Sequence, residues 1–507
     1  MDTESQTPRS VSPSRSLPTD TVLALLVGLM VLVAFNVHHF LYGTPWVFPT
    51  DDAYITLHNA VVLVSGKPDP NFVGTAALCG STSIFHVALT ALFCEVMPPL
   101  TALNLTLWLG IGLYGLGLLR LARVHGAAPW QAVLLLLAGF FAVQTPFQML
   151  NGLETGLALA AVTWSLVFAS SEKPTRGLPA LCGLLPLLRP ELAVLSVLLF
   201  GYQTLRRQNA KSSVLDLGIA VLVAMPFLLL LWANTGSLIP QTIAAKRAYF
   251  AESGLPLAEK LTTAGRHLGA FTALLGVGVA FLPRLAGFAL GRLGLLFASV
   301  LIAAYIQSLP MALAQYYHRY LYVLLPFLWL GCASLWKSSK WLGQAASIGA
   351  ALVLLQALFA FPTRWATYEG WRDEVAIELN GLTKFCDTLN GNSPLLLHDA
   401  GYLGYAGHKK LVDMVGLKTP TAIPLHRRFT EPSDGKKRLD AVEQLAVEKH
   451  CGYLVVLQGW EEFHRIGAGL QARGWTLVPV RPFPIDYPVP ERNRYQVYQL
   501  TPPVKEN

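Results

Sequence analysis

Between Thr21 and Phe361 the chain runs in long apolar blocks almost free of charge, separated by short basic patches. A block of about 20 apolar residues is long enough to cross the hydrocarbon core of a bilayer. In lipid every backbone N–H and C=O must be satisfied within the segment, so repeated blocks of this kind fold as α-helices. The composition agrees: 53% of residues are hydrophobic and 13% are charged, against about 25% charged in a soluble domain. The net charge of +8 does not point to nucleic acid. Much of the excess sits in short loops between apolar blocks, where membrane topology alone accounts for it. The sequence therefore reads as a polytopic α-helical membrane protein.

The blocks place spans at 21–41, 101–119, 130–149, 153–170, 213–233, 264–282, 293–310, 320–336 and 341–361. The first is too long for a signal-peptide core and lacks a clear small-residue cleavage site, so it reads as retained. Residues 1–20 are polar and rich in Ser and Pro, the composition of a disordered cytoplasmic N-terminus. Two regions are awkward. Residues 81–97 form a short apolar stretch carrying His86 and Glu95, and 178–202 is interrupted by Arg189-Pro190-Glu191. Lys and Arg in short loops mark the cytoplasmic side. Arg120/Arg123, Lys173/Arg176, Arg206/Arg207/Lys211, Arg284/Arg292 and Lys337/Lys340 can all face it together with Arg9 and Arg15. They do so only if 81–97 lies at the outer interface and 178–202 is two half-spans turning at Arg189-Pro190-Glu191. An Arg and Glu at the bilayer centre would also cost several kcal/mol. The expectation is about 11 spans within a 21–361 transmembrane catalytic domain, with a first outer loop at 42–100.

Residues 362–507 are more charged and hold five short apolar runs, at 395–397, 411–414, 453–457, 475–480 and 495–500. Helical patterns at 371–390, 436–449 and 461–473 alternate with them, which predicts a C-terminal extracytoplasmic α/β domain. Cys94, Cys182 and Cys332 belong to apolar segments and read as small core residues. In an oxidising compartment Cys386 and Cys451 could pair, although no spacing rule compels it.

Under this topology the polar motifs collect on the non-cytoplasmic face. Asp51-Asp52 follow the first span, either as a helix cap or as a reactive pair. Adjacent carboxylates repel, which suits a general base taking a proton from a hydroxyl. It also suits a divalent metal held by Asp51 and Asp52, the one cofactor the sequence suggests. Glu154 opens a span, where it favours the helix dipole or enters a cavity with Glu191. Arg189 flanks Pro190, either in a structural ion pair or as a bidentate phosphate ligand. Lys246 and Arg247 lie in the outer loop at 234–262, against the usual charge bias. His318 and Arg319 start a span among Tyr316, Tyr317 and Tyr320, as an aromatic belt or as further phosphate ligands. Acids on one side and Lys, Arg and His on the other suit cleavage of a lipid-linked phosphate ester.

These motifs resemble the GT-C superfamily of integral-membrane glycosyltransferases, in its arabinofuranosyltransferase- and mannosyltransferase-like branch. Asp51-Asp52-Ala53-Tyr54-Ile55-Thr56 is similar to that branch's acidic "DDAYIT" motif, and Gly152-Leu153-Glu154-Thr155 to its "GMET/GLET" segment. Leu188-Arg189-Pro190-Glu191 looks like its "TRPEG" turn, with Leu188 in place of Thr and Leu192 in place of Gly. Ile239-Pro240-Gln241-Thr242 with Lys246 resembles "PNTFYAK", with Gln241 replacing Asn, and Arg319-Tyr320 resembles a later "RY". Asp399-Ala400-Gly401-Tyr402-Leu403-Gly404-Tyr405 and Val412-Asp413-Met414-Val415-Gly416-Leu417 are similar to its "DAGAIGYF…VIDLAGL" segment. The resemblance covers roughly residues 21–420. It implies transfer of a sugar, with inversion, from a polyprenyl-phosphate donor to a hydroxyl of a glycan, lipid or protein acceptor outside a bacterial inner membrane. It makes Asp51 or Asp52 the base, and Glu154, Arg189, Glu191, Lys246 and Arg319 cavity residues.

The competing reading is a transporter or flippase for lipid-linked saccharides. Such proteins usually show internal repeats with matched interruptions. This chain has one interrupted segment without a counterpart, and a large extracytoplasmic tail.

Overall fold

The computed structural model describes residues 27–28, 47–481 and 489–503. The polar N-terminus and the span expected at 21–41 lie outside the described residues, apart from helical Val27 and Gly28. Among the described residues six helices are long and apolar enough to cross a membrane: Pro99–Val124, Ala210–Thr235, Leu257–Leu285, Ala289–Ser308, Pro310–Trp336 and Lys340–Thr388. Shorter apolar helices, Ile84–Cys94, Pro129–Phe141, Thr155–Ser170 and Gly177–Leu188, pack among them. The expected count of about 11 thus meets six long helices and a set of short ones.

Ala210–Thr235 shows why the surroundings are lipid. Its 26 residues make a rod of about 39 Å. Its most apolar window has a mean hydropathy of 2.6 and is only 11% buried. An apolar surface of that extent is sustained by hydrocarbon, not water. The inner helices approach closely through small residues. A Cβ on Gly183 would meet the Ala220 carbonyl oxygen at 2.2 Å, and one on Gly110 the Leu157 nitrogen at 2.9 Å.

Of three expected segments, one is broken where the sequence placed the break and two differ. Residues 178–202 are indeed two helices, Gly177–Leu188 and Leu192–Arg207, and Arg189 between them is extended (φ −150°, ψ 127°). The residue before a proline is pushed out of the helical region, which ends the first helix there. Ser196 Oγ reaches the Cys182 carbonyl at 2.5 Å, so the halves pack against each other. The 130–149 block breaks into Pro129–Phe141 and Thr145–Leu150, with Val143 at φ +54° and Pro146 in the first turn of the restart. The helix expected to stop at Phe361 runs through Pro362 to Glu374. The tail is therefore joined through a continuous helix, not across a break at 361/362.

The tail sheet has the order β2-β1-β3-β5-β4, with β1 Leu395–Leu397, β2 Leu411–Asp413, β3 Tyr453–Leu457, β4 Thr476–Arg481 and β5 Tyr495–Thr501. β1 pairs in parallel with β2 and β3, while β5 runs antiparallel to β3 and β4. Alternate side chains enter two cores. Leu395, Leu397, Val455 and Val497 pack with Phe48, Tyr54 and Leu57, so one sheet face covers the first-loop helix Asp51–Ser65. Leu396, Leu454 and Val456 pack with Val442, Leu445 and Leu470 on the other face. Cys386 belongs to the first core and Cys451 to the second, and both are free thiols. The pairing considered from the sequence is thus prevented by the sheet between them.

A buried polar bolt fixes the tail to the first loop. Lys418 Nζ donates to Asn59 Oδ1 at 2.7 Å and to Asp69 Oδ2 at 3.1 Å. It lies 5.1 Å from the centroid of the Phe72 ring. His58 Nε2 is 2.8 Å from the same Asp69 oxygen, and Asp69 Oδ1 accepts the N–H groups of Asn71 and Phe72.

Candidate functional site

The Asp51–Ser65 helix begins at the acidic pair itself, with extended Thr50 as its N-cap. Thr50 Oγ1 donates to the Asn151 carbonyl at 2.9 Å. Asn151 Oδ1 accepts the Leu153 N–H, and Gly152 between them sits at φ +84°. A Cβ on Gly152 would lie 2.4 Å from the Ala53 Cβ. The Asn151–Glu154 turn therefore needs glycine both for its left-handed backbone and for its approach to the Asp51 helix. That approach brings Glu154 beside the acidic pair.

The two aspartates part company. Asp51 turns to the tail, where its Oδ2 accepts the Gly401 N–H at 2.8 Å and its Oδ1 the Tyr402 N–H at 2.7 Å. It thereby caps the short Tyr402–Ala406 helix from outside. Burial, then the neighbouring Asp399 carboxylate, push the Asp51 carboxyl well above the usual range, against the pull of the two amides. Asp52 faces the opposite way, with Oδ2 3.6 Å from Arg319 Nη1. Among the described residues no group of three or more His, Cys, Asp or Glu side chains comes together as a metal site. Asp51 is engaged by amides and Asp52 faces a guanidinium, so the two carboxylates, considered from the sequence as a possible divalent-metal pair, turn to different partners.

Arg319 forms the opposing wall, with Arg189 packed behind it. Arg319 Nη2 is 3.2 Å from Glu154 Oε1, and Arg189 Nε is 3.6 Å from that oxygen and 2.8 Å from Glu191 Oε1. Arg189 Nη1 donates to the Arg319 carbonyl at 3.2 Å. The Tyr320 ring lies 4.8 Å from the Arg189 guanidinium and 5.3 Å from that of Arg319. Both arginines are buried, and buried charge persists only when paired. Even so, Arg189 Nη2 and Arg319 Nε and Nη1 have no hydrogen-bond acceptor among the described residues. The chain reaches Arg319 through three successive non-glycine residues at positive φ: Tyr316 (44°), Tyr317 (55°) and His318 (65°). Each such residue costs on the order of 1–3 kcal/mol, and such strain gathers at functional sites.

Asp52, Thr56, Thr82, Ser83, Glu154, Thr242, Lys246 and Arg319 line a small polar pocket of about 30 Å³. Through Thr82, Thr242 and Lys246 it adjoins a cavity of about 510 Å³. That cavity is lined by Ile243, Leu301, Ala304, Leu309, Met311 and Ala314, with Glu191, Tyr305 and Tyr320 near the polar end. Leu301, Ala304 and Ser308 come from a membrane-length helix, so the cavity runs alongside a span. Lys246 projects from the Gln241–Phe250 helix. Burial works against its charge, but Tyr320 and Asp52 outweigh it and raise the ammonium pKa above the usual lysine value.

The structure thus gathers Asp52, Glu154, Arg189, Glu191, Lys246 and Arg319, and leaves out two expected phosphate ligands. Arg247 is exposed and pairs with Glu431 of the tail at 3.0 Å. One residue along a helix turns a side chain by about 100°, so Lys246 and Arg247 cannot share a cavity face. His318 points its ring at the Leu313 carbonyl, 2.8 Å away, and meets the Phe271 ring edge to face. Tyr305 escaped the sequence reading, and His86 entered it only as a polar residue in a short apolar stretch. Tyr305 donates to Glu191 Oε1 at 3.3 Å from inside an apolar span, with nothing local to mark it. His86 is wholly buried beside Glu154 and Arg319, with neither ring nitrogen hydrogen-bonded. Its position in a short apolar helix was the available signal.

Residues 369–498 match a family described as a domain of unknown function, DUF8728. No curated protein matches the chain in sequence. Among solved structures, ArnT from Cupriavidus metallidurans bound to undecaprenyl phosphate aligns over 96% of this chain and 98% of its own, at 14% identity and a TM-score of 0.52. ArnT in the apo state aligns over 93% and 97%, at 13% identity and a TM-score of 0.54. An apo oligosaccharyltransferase from Archaeoglobus fulgidus aligns over 89% of this chain and 70% of its own, at 13% identity and a TM-score of 0.45. The chain therefore shares the fold of ArnT, and its long apolar helices are those of a multi-pass membrane protein.

Proposed function

We propose that this protein is an inverting glycosyltransferase that moves a sugar from a polyprenyl-phosphate carrier to a hydroxyl of a cell-envelope glycan, lipid or protein. In this reading the site and the tail face away from the cytoplasm of a bacterial plasma membrane. One arrangement carries the proposal. Asp52 faces Arg319 across a polar pocket at the head of an apolar cavity that lies along a span. The fold shared with ArnT, seen bound to undecaprenyl phosphate, supports the same class of donor.

The chemistry follows from those positions. The prenyl chain occupies the apolar cavity, with its phosphate near Lys246 and Arg319. Asp52 accepts the proton of the incoming hydroxyl as its oxygen bonds to the anomeric carbon from the face opposite the phosphate. The bond from that carbon to the phosphate oxygen breaks, and the electron pair leaves with the polyprenyl phosphate. The growing negative charge meets Lys246 and the unpartnered guanidinium N–H groups of Arg319, already in place, with Arg189 behind them. Glu154 and Glu191 hold those guanidiniums without occupying all their donors. Asp51, engaged by the tail amides, does not serve as the base.

The test is transfer from synthetic polyprenyl-phosphate sugars by the purified full chain. Asp52→Asn should lower kcat by about 10²–10⁴-fold, the usual worth of a general base. Wild-type turnover in Asp52→Asn would refute the assignment. Translocation of the intact saccharide without a transferred product would favour the transporter reading instead.

A further inference from the structure

Resting on the reading of Asp52 as base, we propose that the tail loop Asp399–Tyr402 is a positioning element of the active site, which sets the aim of Asp52 through its neighbour Asp51. The loop reaches across the sequence to the first turn of the Asp51 helix and gives both main-chain N–H groups, of Gly401 and Tyr402, to one carboxylate. The contact is close on the backbone side as well. A Cβ on Gly401 would lie 2.0 Å from the Asp51 carbonyl oxygen and 2.8 Å from Asp51 Oδ2.

The loop is itself held from two strands of the tail, β1 and β5. Asp399 follows β1 and pairs with His398 Nε2 at 3.0 Å. It also accepts the hydroxyl of Tyr495, from the start of β5. His398 in turn stacks on Trp460, with ring centroids 4.0 Å apart. The clamp on Asp51 is therefore as rigid as the sheet behind it. On the membrane side the same helix turn is fixed by Thr50 on Asn151 and by the Gly152 contact. Asp52 lies between these two fixings, in a turn with little freedom to rotate. The tail is thus a structural part of the reaction centre rather than only a cap over it.

The experiment compares kcat, donor KM, thermal unfolding and the pH profile of kcat in wild type, Gly401→Ala and Asp51→Asn, as purified full chains. Gly401→Ala must displace the Asp51 turn. A misplacement of about 1 Å costs on the order of 100-fold, so kcat should fall by that much with donor KM within about 3-fold. The acid limb of the kcat profile should also move, because the spacing of Asp52 from Arg319 changes. Loss of folded protein alone would leave that limb in place. A Gly401→Ala enzyme with wild-type kcat, or with an unshifted limb and a loss matching its unfolded fraction, overturns the proposal. Should Gly401→Ala not fold, Asp51→Asn decides. Its amide can accept only one of the two N–H groups, and a kcat loss of about 10-fold or more at unchanged KM is expected. Wild-type kcat in Asp51→Asn would then overturn the proposal. An inactive Asp52→Asn beside a fully active Gly401→Ala removes this inference and leaves the reading of Asp52 standing. An active Asp52→Asn removes both.

Discussion

Lys418→Met takes the cation out of the bolt between the tail and the first loop. The side chains of Lys418 and Asp69 are both fully shielded from solvent. Methionine replaces most of the lysine stem, so the change is chiefly electrostatic rather than a cavity. Asp69 is then left with His58 as its side-chain partner. Burial, the largest influence on His58, pushes its imidazole below the usual pKa despite the Asp69 hydrogen bond, and that burial remains when Lys418 is replaced. A buried carboxylate that loses its ion partner costs about 3–5 kcal/mol. At roughly 2–4 °C per kcal/mol for a unit of 150–250 residues, the Tm falls by about 6–20 °C. Asp69→Asn/Lys418→Met removes both charges, and Asn can still accept an N–H from Asn71 or Phe72. Its penalty should be smaller than the sum of the single variants by about 0.5–3 kcal/mol. The assay is tryptophan-fluorescence melting of the detergent-purified full chain at one fixed heating rate, since irreversible unfolding makes Tm rate-dependent. A Lys418→Met protein melting within about 2 °C of wild type, or a double variant at or beyond additivity, would refute the reasoning.

Other consequences are simpler to state. Arg247→Ala removes an exposed pair with Glu431 outside the cavity, so transfer should stay within about 2-fold and stability should change by at most about 1 kcal/mol. Arg319→Lys keeps the charge but loses the planar fork, and kcat should fall by about 10²–10³-fold; equal effects from the two substitutions would contradict the geometry. Stability should also decline on acidification, in two stages. His58 has a lowered folded pKa, so its contribution is present above about 6.5 and is lost as pH falls through the folded value. Burial raises the Asp69 carboxyl, but His58 and Lys418 outweigh it and hold the group below the usual range. Its contribution is therefore present above about 3.9 and is lost at still lower pH. Melting from pH 8 to pH 3 should show a Tm that drops below about pH 6.5 and again below about pH 3.9, with the first part of the drop reduced in His58→Gln. A flat Tm from pH 7 to pH 5 would show that His58 is not linked to folding.

Local patterns in the sequence determined the elements. Charge-free length identified the long helices, Pro190 identified the break between Leu188 and Leu192, and five apolar runs located the five strands. Each depends on neighbours a few residues apart, through hydrogen-bond satisfaction in lipid, the steric demand of proline and the two-residue period of strands. Long-range packing decided what the elements do. Asp51 and Asp52 are chemically identical neighbours, and only the arrival of Gly401 and Tyr402 from the tail turns one into an anchor and leaves the other facing Arg319. Lys246 and Arg247 are both cations on one helix, and only the packing of that helix against the tail helix Ala422–Phe429, with its other side on the cavity, puts one in the cavity and the other on Glu431. Cys386 and Cys451 both lie in the tail, and the sheet between their two cores keeps them apart. Composition and spacing record which groups a chain owns; which of two equivalent groups faces a partner hundreds of residues away is fixed only when the whole chain has packed.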